Sequence, residues 1–386
     1  MPVAEPMGGA YEFRNPPRRG ARAGALDAAA HSVAIARLHS VYRLQYRRYR
    51  LPFRAPVRTA HGPWLEREGL ILRLEDEGGT VGFGEAAPVP EFGRETVDAD
   101  EAACRALGGV TDDATIAEVP KELGCLRNAL ASARADIGVA RELRREEISA
   151  LTRRATEMLT VAALLPAGRA ALTQIPPRAE IGFRVFKWKV GVADPADELS
   201  LLDDLCGALP SGGKLRLDAN GAWDRRRAER WLERCADRPV DFVEQPIATD
   251  AKGAEDLLLG LAGDYPTPIA LDESLVGDGD IDRWLGAGWP GVFVVKSALV
   301  ADVPAALAKL QRANAAVVFS SALETTVGAR AALRAAFAWT GERRPLGFGV
   351  WPLFADPRFD GPALAPFLRA EDVDRLNAEA VWNALS

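Results

Sequence analysis

Short apolar segments alternate with amphipathic helical segments from about residue 160 to the end of the chain. Helices are predicted at 226–235 and 303–313, among others. Such alternation is typical of parallel strands joined by helices. Eight segments predict a closed (β/α) barrel of the TIM type, because no glycine-rich phosphate turn marks the switch point of an open sheet. The candidate strands begin near Val161, Val185, Lys214, Val240, Pro268, Gly291, Ala315 and Leu346.

The region before the barrel has a different pattern. Alternating segments at 42–47, 70–75 and 81–84, with a turn signal at 76–79, predict an antiparallel meander. Helices are predicted after these strands, which indicates an α+β domain. The domain organisation predicted from these patterns is a disordered extension over 1–40, the α+β domain over 41–150, the barrel over 151–345, and a last strand and C-terminal segment over 346–386.

Composition and charge exclude several classes of protein. The net charge of −6 argues against a nucleic-acid partner, and no apolar run reaches the roughly 18 to 20 residues needed for membrane insertion. Four cysteines without C-x-x-C spacing indicate reduced thiols in a cytoplasmic protein. All three histidines precede residue 62, so lysines and carboxylates must carry any acid–base chemistry in the barrel. The oligomeric state is left open.

Charged residues end four successive strands of the predicted barrel. Asp218, Glu244, Asp272 and Lys296 follow one another at steps of 26, 28 and 24 residues, each the length of a strand and a helix. Because the carboxyl ends of barrel strands form one face, we expect these side chains to converge there. The three carboxylates predict a site for a hard divalent cation, Mg²⁺ with Mn²⁺ as a possible substitute.

Two lysines on the second strand suggest the chemistry. Lys187 and Lys189 point to one face of their strand, so like charge and partial burial favour a neutral amine on one of them. A neutral amine can remove a proton from the carbon next to a carboxylate, and a divalent cation stabilises the resulting enediolate. A small-molecule carboxylate is therefore the expected substrate class.

A glycine motif in the α+β domain superficially fits dinucleotide binding. The stretch from Gly82 to Ala87 matches G-x-G-x-x-A. Pro88 and Pro90 follow at once, so no helix can begin there to receive a pyrophosphate. We expect no nucleotide site here.

Six motifs in the predicted barrel belong together. They are Lys187-Trp188-Lys189-Val190-Gly191, Leu215-Arg216-Leu217-Asp218-Ala219-Asn220, Val243-Glu244-Gln245-Pro246, Leu271-Asp272-Glu273-Ser274, Val295-Lys296 and Phe319-Ser320-Ser321-Ala322-Leu323-Glu324. Together they resemble the enolase superfamily, in its group with two catalytic lysines, and more narrowly the o-succinylbenzoate synthase family. This resemblance implies a modified barrel closed by the α+β domain as a cap, with closing loops at 53–64 and 84–88.

The resemblance also implies an activity and a role for each residue. The reaction is the Mg²⁺-dependent syn dehydration of 2-succinyl-6-hydroxy-2,4-cyclohexadiene-1-carboxylate to o-succinylbenzoate, a step in menaquinone and phylloquinone biosynthesis. Lys189 is the expected base, Lys296 the cation on the opposite face, and Lys187 the charge that lowers the pKa of Lys189. Asp218, Glu244 and Asp272 are the expected metal ligands, and the candidate substrate-binding residues are Ser320, Ser321, Arg216 and Glu324.

The sequence leaves alternatives open. An N-acylamino acid racemase, a dipeptide epimerase or a muconate cycloisomerase would use the same lysines. Dipeptide epimerases usually carry Asp-x-Asp on the eighth strand, which is absent from 346–351. The second acid motif reads Glu-Gln-Pro at 244–246 rather than the commoner Glu-Glu-Pro, although its ligand is retained. A non-enzymatic barrel subunit would be favoured only if the acids did not converge.

Overall fold

The computed structural model is a cap of antiparallel strands and helices on a parallel barrel. It describes residues 40–59, 62–90, 92–93, 95–145 and 157–385. The predicted extension over 1–40, apart from Ser40, and the predicted boundary at 150/151 lie outside the described residues. No helix in the described ranges is long and apolar enough to cross a membrane.

The cap, defined here as Val41–Arg145, is a four-stranded antiparallel sheet with helices on one face. The sheet has the order β3-β2-β1-β4. Alternate residues of the second strand, Leu70, Leu72 and Leu74, are fully buried against the helices, as the predicted period of two requires. The elements are β1 (Val41–Thr59), β2 (Gly62–Asp76), β3 (Val81–Ala86), α1 (Val97–Leu107), β4 (Val110–Asp112), α2 (Asp113–Ala117) and α3 (Gly124–Arg145).

The β1–β2 hairpin is longer than predicted. The segment 53–64, expected to be a closing loop, instead continues both strands to Thr59 and from Gly62. Pairing shifts register between Pro52 and Val57, because β1 carries extra residues there. Such a bulge bends a hairpin without ending it. The expectation of a loop at 53–64 is therefore wrong for 53–59 and 62–64, the part of this segment that the structure describes.

The barrel has seven parallel strands in the order β12-β11-β10-β9-β8-β7-β6. Aspartates begin several helices: the side chains of Asp194, Asp224 and Asp302 accept hydrogen bonds from first-turn backbone N–H groups. The elements are β5 (Met158–Thr160), β6 (Ala163–Leu165), α4 (Ala170–Glu180), β7 (Val185–Lys189), α5 (Pro195–Ala208), β8 (Lys214–Asp218), α6 (Arg225–Cys235), β9 (Val240–Glu244), α7 (Ala254–Asp264), β10 (Ile269–Leu271), α8 (Asp278–Gly286), β11 (Val292–Val295), α9 (Val303–Arg312), β12 (Ala316–Phe319) and α10 (Thr326–Ala338).

Two residues replace the eighth strand and close the barrel. Leu346 pairs with Val161 at one edge of the sheet, and Gly347 pairs with Ser320 at the other. The chain then forms β13 (Phe367–Arg369), which pairs with β5. It ends in α11 (Ala370–Asp374) and α12 (Ala378–Ala384). Trp382 of α12 packs against Phe83 of the cap.

The glycines of the G-x-G-x-x-A motif allow a helix to pack closely on a strand. A Cβ at Gly82 would lie 2.0 Å from the carbonyl oxygen of Ala133, and one at Gly84 would lie 1.9 Å from that of Ala129. Both carbonyls belong to α3. The motif therefore serves the contact between β3 and α3, and β3 ends at Ala86 without a helix opening after it.

This contact predicts a stability difference between two glycine variants. Gly84→Ala forces β3 and α3 apart and should lower the free energy of unfolding by about 1–3 kcal/mol. Gly138→Ala is the matched control, because Gly138 lies within α3 with no atom within 4 Å of an added Cβ. The control should gain about 0.4–1 kcal/mol. Denaturant unfolding of both variants checks this, and a Gly84→Ala protein as stable as the parent would contradict it.

Candidate active site

The ionisable residues predicted at the strand ends lie together at one end of the barrel. Register pairs Lys189 of β7 with Asp218 of β8, and Asp218 with Glu244 of β9. Asp272 and Lys296 come directly after β10 and β11. Parallel pairing of neighbouring strands thus brings residues more than 100 positions apart to one face.

Two lysines form ion pairs with the three carboxylates. The Nζ atom of Lys187 lies 2.9 Å from Asp218 Oδ2 and 2.8 Å from Glu244 Oε1. Lys296 pairs with Asp272. All three acids are buried, and buried charges are stable only when paired in this way.

Burial and neighbouring charges move the lysine pKa values in different directions. Burial lowers the pKa of Lys187, but the charges of Asp218 and Glu244 outweigh it and the pKa is raised. Burial, followed by the charge of Lys187, lowers the pKa of Lys189 despite the opposing effect of Asp218. Burial lowers the pKa of Lys296 to about 8. Lys189 and Lys296 are thus the two amines whose surroundings favour the neutral form.

The acidic residues are chemically suited to Mg²⁺. The acids lie close together around shared lysines, with Lys187 contacting both Asp218 and Glu244 and Lys296 contacting Asp272. Across the described parts of the chain, no three His, Cys, Asp or Glu side chains are arranged as a metal-binding group by themselves. Two further buried acceptors, Asn220 Oδ1 and Glu273 Oε2, have no hydrogen-bond partner. The site therefore has more oxygen acceptors than donors, which is the chemistry of a hard cation site.

The loop after β12 carries the predicted substrate-binding residues Ser320, Ser321 and Glu324. The Ser321 hydroxyl donates to Glu324 Oε2 at 2.9 Å and accepts from the backbone N–H of Leu323 at 2.9 Å. Glu324 is buried, which raises its pKa to about 7. Among the described residues, the Ser320 hydroxyl has one hydrogen-bond partner, the carbonyl of Gly347 at 3.3 Å. Ser320 is therefore better placed than Ser321 to contact a ligand.

Arg216 lies inside the barrel, two residues before Asp218 on the same face of β8. Its guanidinium donates to Asp241 Oδ2 at 2.9 Å and to the carbonyl of Pro345 at 2.7 Å. It is buried over the ring of Phe242. These contacts hold Arg216 beneath the site, and its Nη2 atom is buried without a hydrogen-bond partner among the described residues. Its role in substrate binding stays a prediction.

Three cap residues that the sequence analysis did not single out fix barrel segments next to the site. Asn128 of α3 donates to the carbonyls of Ser297 and Val300, directly after Lys296. Arg67 donates to the carbonyls of Ala322 and Leu323, and Glu85 accepts from the backbone N–H groups of Thr325 and Gly328. The signal in the sequence was a charged residue inside an otherwise apolar strand, as for Glu85.

The cap also contacts the catalytic end directly. The ring of Phe92 lies 5.2 Å from the Nζ atom of Lys296. Such a cation–π contact is favourable for the charged amine and leaves less room for water around it. A closing loop was expected at 84–88, but Gly84 to Ala86 belong to β3. The segment after β3 approaches the site at Phe92.

Comparisons with known proteins agree with this architecture. Residues 171–364 match the family model "Enolase C-terminal domain-like", and residues 41–121 match "MenC, N-terminal domain". The chain is 42% identical over 314 residues to o-succinylbenzoate synthase of Thermosynechococcus vestitus, covering 80% of this chain and 92% of the relative. It is 30% identical over 293 residues to the Yersinia pseudotuberculosis o-succinylbenzoate synthase, covering 73% and 82%.

Solved structures give the same result. A crystal structure of o-succinylbenzoate synthase from Thermosynechococcus elongatus BP-1, complexed with Mg in the active site, matches with a TM-score of 0.74 and 38% identity, covering 89% of this chain and 99% of that one. The Bacillus subtilis L-Ala-D/L-Glu epimerase shares the fold at a TM-score of 0.72 and 21% identity, covering 85% and 96%. The chain therefore belongs to the o-succinylbenzoate synthase family of the enolase superfamily.

Proposed function

We propose that this protein converts 2-succinyl-6-hydroxy-2,4-cyclohexadiene-1-carboxylate to o-succinylbenzoate by Mg²⁺-dependent syn dehydration, the step used in menaquinone and phylloquinone biosynthesis. The observation that carries the proposal is the placement of two amines with lowered pKa on opposite sides of the barrel. Lys189 ends β7 and Lys296 follows β11, four positions apart in a barrel of eight. Membership of the family supports the choice of substrate.

Asp218, Glu244 and Asp272 are the residues that would hold the metal ion. When bound, Mg²⁺ supplies positive charge that stabilises the negative charge developing on the substrate carboxylate. The two lysines that now pair with these acids add to that field, because both remain on the same face of the barrel. The o-succinylbenzoate synthase structure from Thermosynechococcus elongatus has Mg in its active site, which supports this choice of ion.

Lys189 acts as the base in this proposal. Its lowered pKa makes the neutral amine accessible, and that amine removes the proton from the carbon next to the carboxylate. In a syn elimination the hydroxyl group leaves from the same side, so the protonated Lys189 donates the proton that accompanies it. Lys296, on the other side, stabilises the enediolate by its charge.

The cap and the loop after β12 position the substrate. Ser320 is the proposed contact for the succinyl carboxylate, since its hydroxyl makes one weak hydrogen bond among the described residues. Phe92 and the rest of the cap exclude water from the reacting atoms, which strengthens each electrostatic interaction in the site.

Racemisation of an N-acylamino acid is the second candidate function. The same arrangement favours it, because two amines on opposite sides of one carbon can each exchange its proton. The substrate in either case is a small carboxylate. We expect the protein in the cytoplasm, a proposal supported by four cysteines that are all free thiols.

Metal dependence is the first prediction of the proposed function. Asp218→Asn removes one ligand charge while preserving volume, and we expect dehydration to fall at least about 100-fold, since metal-ion stabilisation contributes several kcal/mol. Asp282→Asn, an exposed acid paired with Lys309, is the control and should retain activity. The measurement is the absorbance change on dehydration, together with circular dichroism to verify folding. Full activity after exhaustive chelation would rule out the metal.

The two lysines separate the two candidate functions. Lys189→Arg should reduce dehydration by about 10²- to 10⁴-fold, because guanidinium cannot act as a base at neutral pH. Lys296→Arg keeps the charge and should retain part of the dehydration, whereas any racemisation should disappear. Absorbance follows dehydration, and NMR follows exchange of the α-proton in D₂O. Dehydration by Lys189→Arg at the parental rate would show that another group is the base.

A further inference from the structure

The residue after the ligand Glu244 is a glutamine in an unusual conformation. Gln245 is fully buried, and its backbone is in the left-handed region with φ of 38°. Non-glycine residues rarely adopt this conformation unless surrounding contacts impose it. Its backbone N–H donates to the carbonyl of Ala270 at 2.8 Å, and its carbonyl accepts from Gly221 at 2.7 Å. Gln245 therefore connects the ends of three neighbouring strands.

The side-chain amide of Gln245 uses all four of its hydrogen-bonding positions. Nε2 donates to the carbonyl of Ile247 and to the hydroxyl of Ser274, both at 2.9 Å. Oε1 accepts from the backbone N–H of Asp272 at 3.0 Å and from that of Ser274 at 3.2 Å. A primary amide has two donors and two acceptor positions, so none is left over.

The two bonds to Oε1 hold the backbone of Asp272, a proposed metal ligand, and of Ser274. The N–H of Asp272 is held directly, and the next-but-one residue, Ser274, is held twice. The carbonyl of Ser274 accepts in turn from the buried indole of Trp284 at 3.2 Å. The turn that aims the Asp272 carboxylate is thus attached to both β9 and α8.

A carboxylate in place of this amide would change the contacts in this chain. Glutamate has the same shape but no N–H donors, so the carbonyl of Ile247 would lose its side-chain partner. It would also place another negative charge near the buried acids Asp218, Glu244 and Asp272 and near the half-buried Glu273. The departure from Glu-Glu-Pro to Glu-Gln-Pro therefore has a physical consequence in this chain.

We propose that Gln245 is a positioning residue that orients Asp272 for metal binding without contacting the ion. The proposal rests on the proposed function, in which Asp272 is a metal ligand. Residues that orient metal ligands typically contribute about 10- to 100-fold in metal affinity. Charge and orientation make opposite predictions for Gln245→Glu: an added negative charge alone would tighten cation binding, whereas a misaligned Asp272 would weaken it.

The test measures Mn²⁺ binding to the metal-free protein by electron paramagnetic resonance, well below the midpoint of thermal unfolding. Gln245→Glu and Gln245→Met should each raise the dissociation constant of Mn²⁺ about 10- to 100-fold. Gln311→Glu is the matched control, since this exposed amide accepts one hydrogen bond from Thr340 and an acid retains that acceptor. It should bind Mn²⁺ as the parent does. At saturating Mg²⁺, the kcat of Gln245→Glu should recover most of the parental value.

Asp272→Asn distinguishes failure of this inference from failure of the proposed function. If Asp272→Asn leaves Mn²⁺ affinity unchanged, Asp272 is not a ligand and the assignment of the metal site is wrong. If Asp272→Asn weakens binding and Gln245→Glu binds Mn²⁺ as tightly as the parent or more tightly, only the role of Gln245 is overturned. Should Gln245→Met fail to fold, Gln245→Glu alone decides, because it is nearly isosteric.

Discussion

Charge compensation inside the barrel mouth is the constraint on which the site depends. Asp218, Glu244 and Asp272 are buried, and each is paired with a lysine: Lys187 contacts both Asp218 and Glu244, and Lys296 contacts Asp272. A single buried carboxylate without such a partner would be strongly destabilising or would become protonated. The lysines and acids therefore form one network of buried charges. Buried ion pairs of this kind contribute little net stability.

The cap holds barrel segments on one side of this network through hydrogen bonds. The β7 side of the site, with Lys187 and Lys189, is built by the barrel itself. The opposite side depends on buried polar contacts from the cap: Asn128 holds the segment after Lys296, and Arg67 holds the loop after β12. Glu85 binds the first turn of α10. Displacing the cap would therefore change the positions of Lys296 and Ser320 more than that of Lys189.

Sequence patterns predicted the barrel strands and their terminal charges, because strand period and strand–helix spacing are local properties. Seven of the eight predicted positions are strands of the parallel sheet, and the eighth is represented by the bridging residues Leu346 and Gly347. The contacts of Arg216 could not be predicted in this way, since its partners Asp241 and Pro345 come from other strand ends. The length of the first hairpin depended on a bulge, which has no clear local signature. Buried polar residues such as Arg67 resemble a solvent-facing strand position until tertiary contacts are known.

An assay of the unmodified protein on two substrates distinguishes dehydration from racemisation. The cyclohexadiene carboxylate and an N-succinylamino acid are each supplied with Mg²⁺ and, in parallel, after removal of all divalent metal. We expect o-succinylbenzoate formation that requires the metal, with racemisation slower or absent. Fast racemisation of the amino acid with no dehydration of the cyclohexadiene would contradict this expectation.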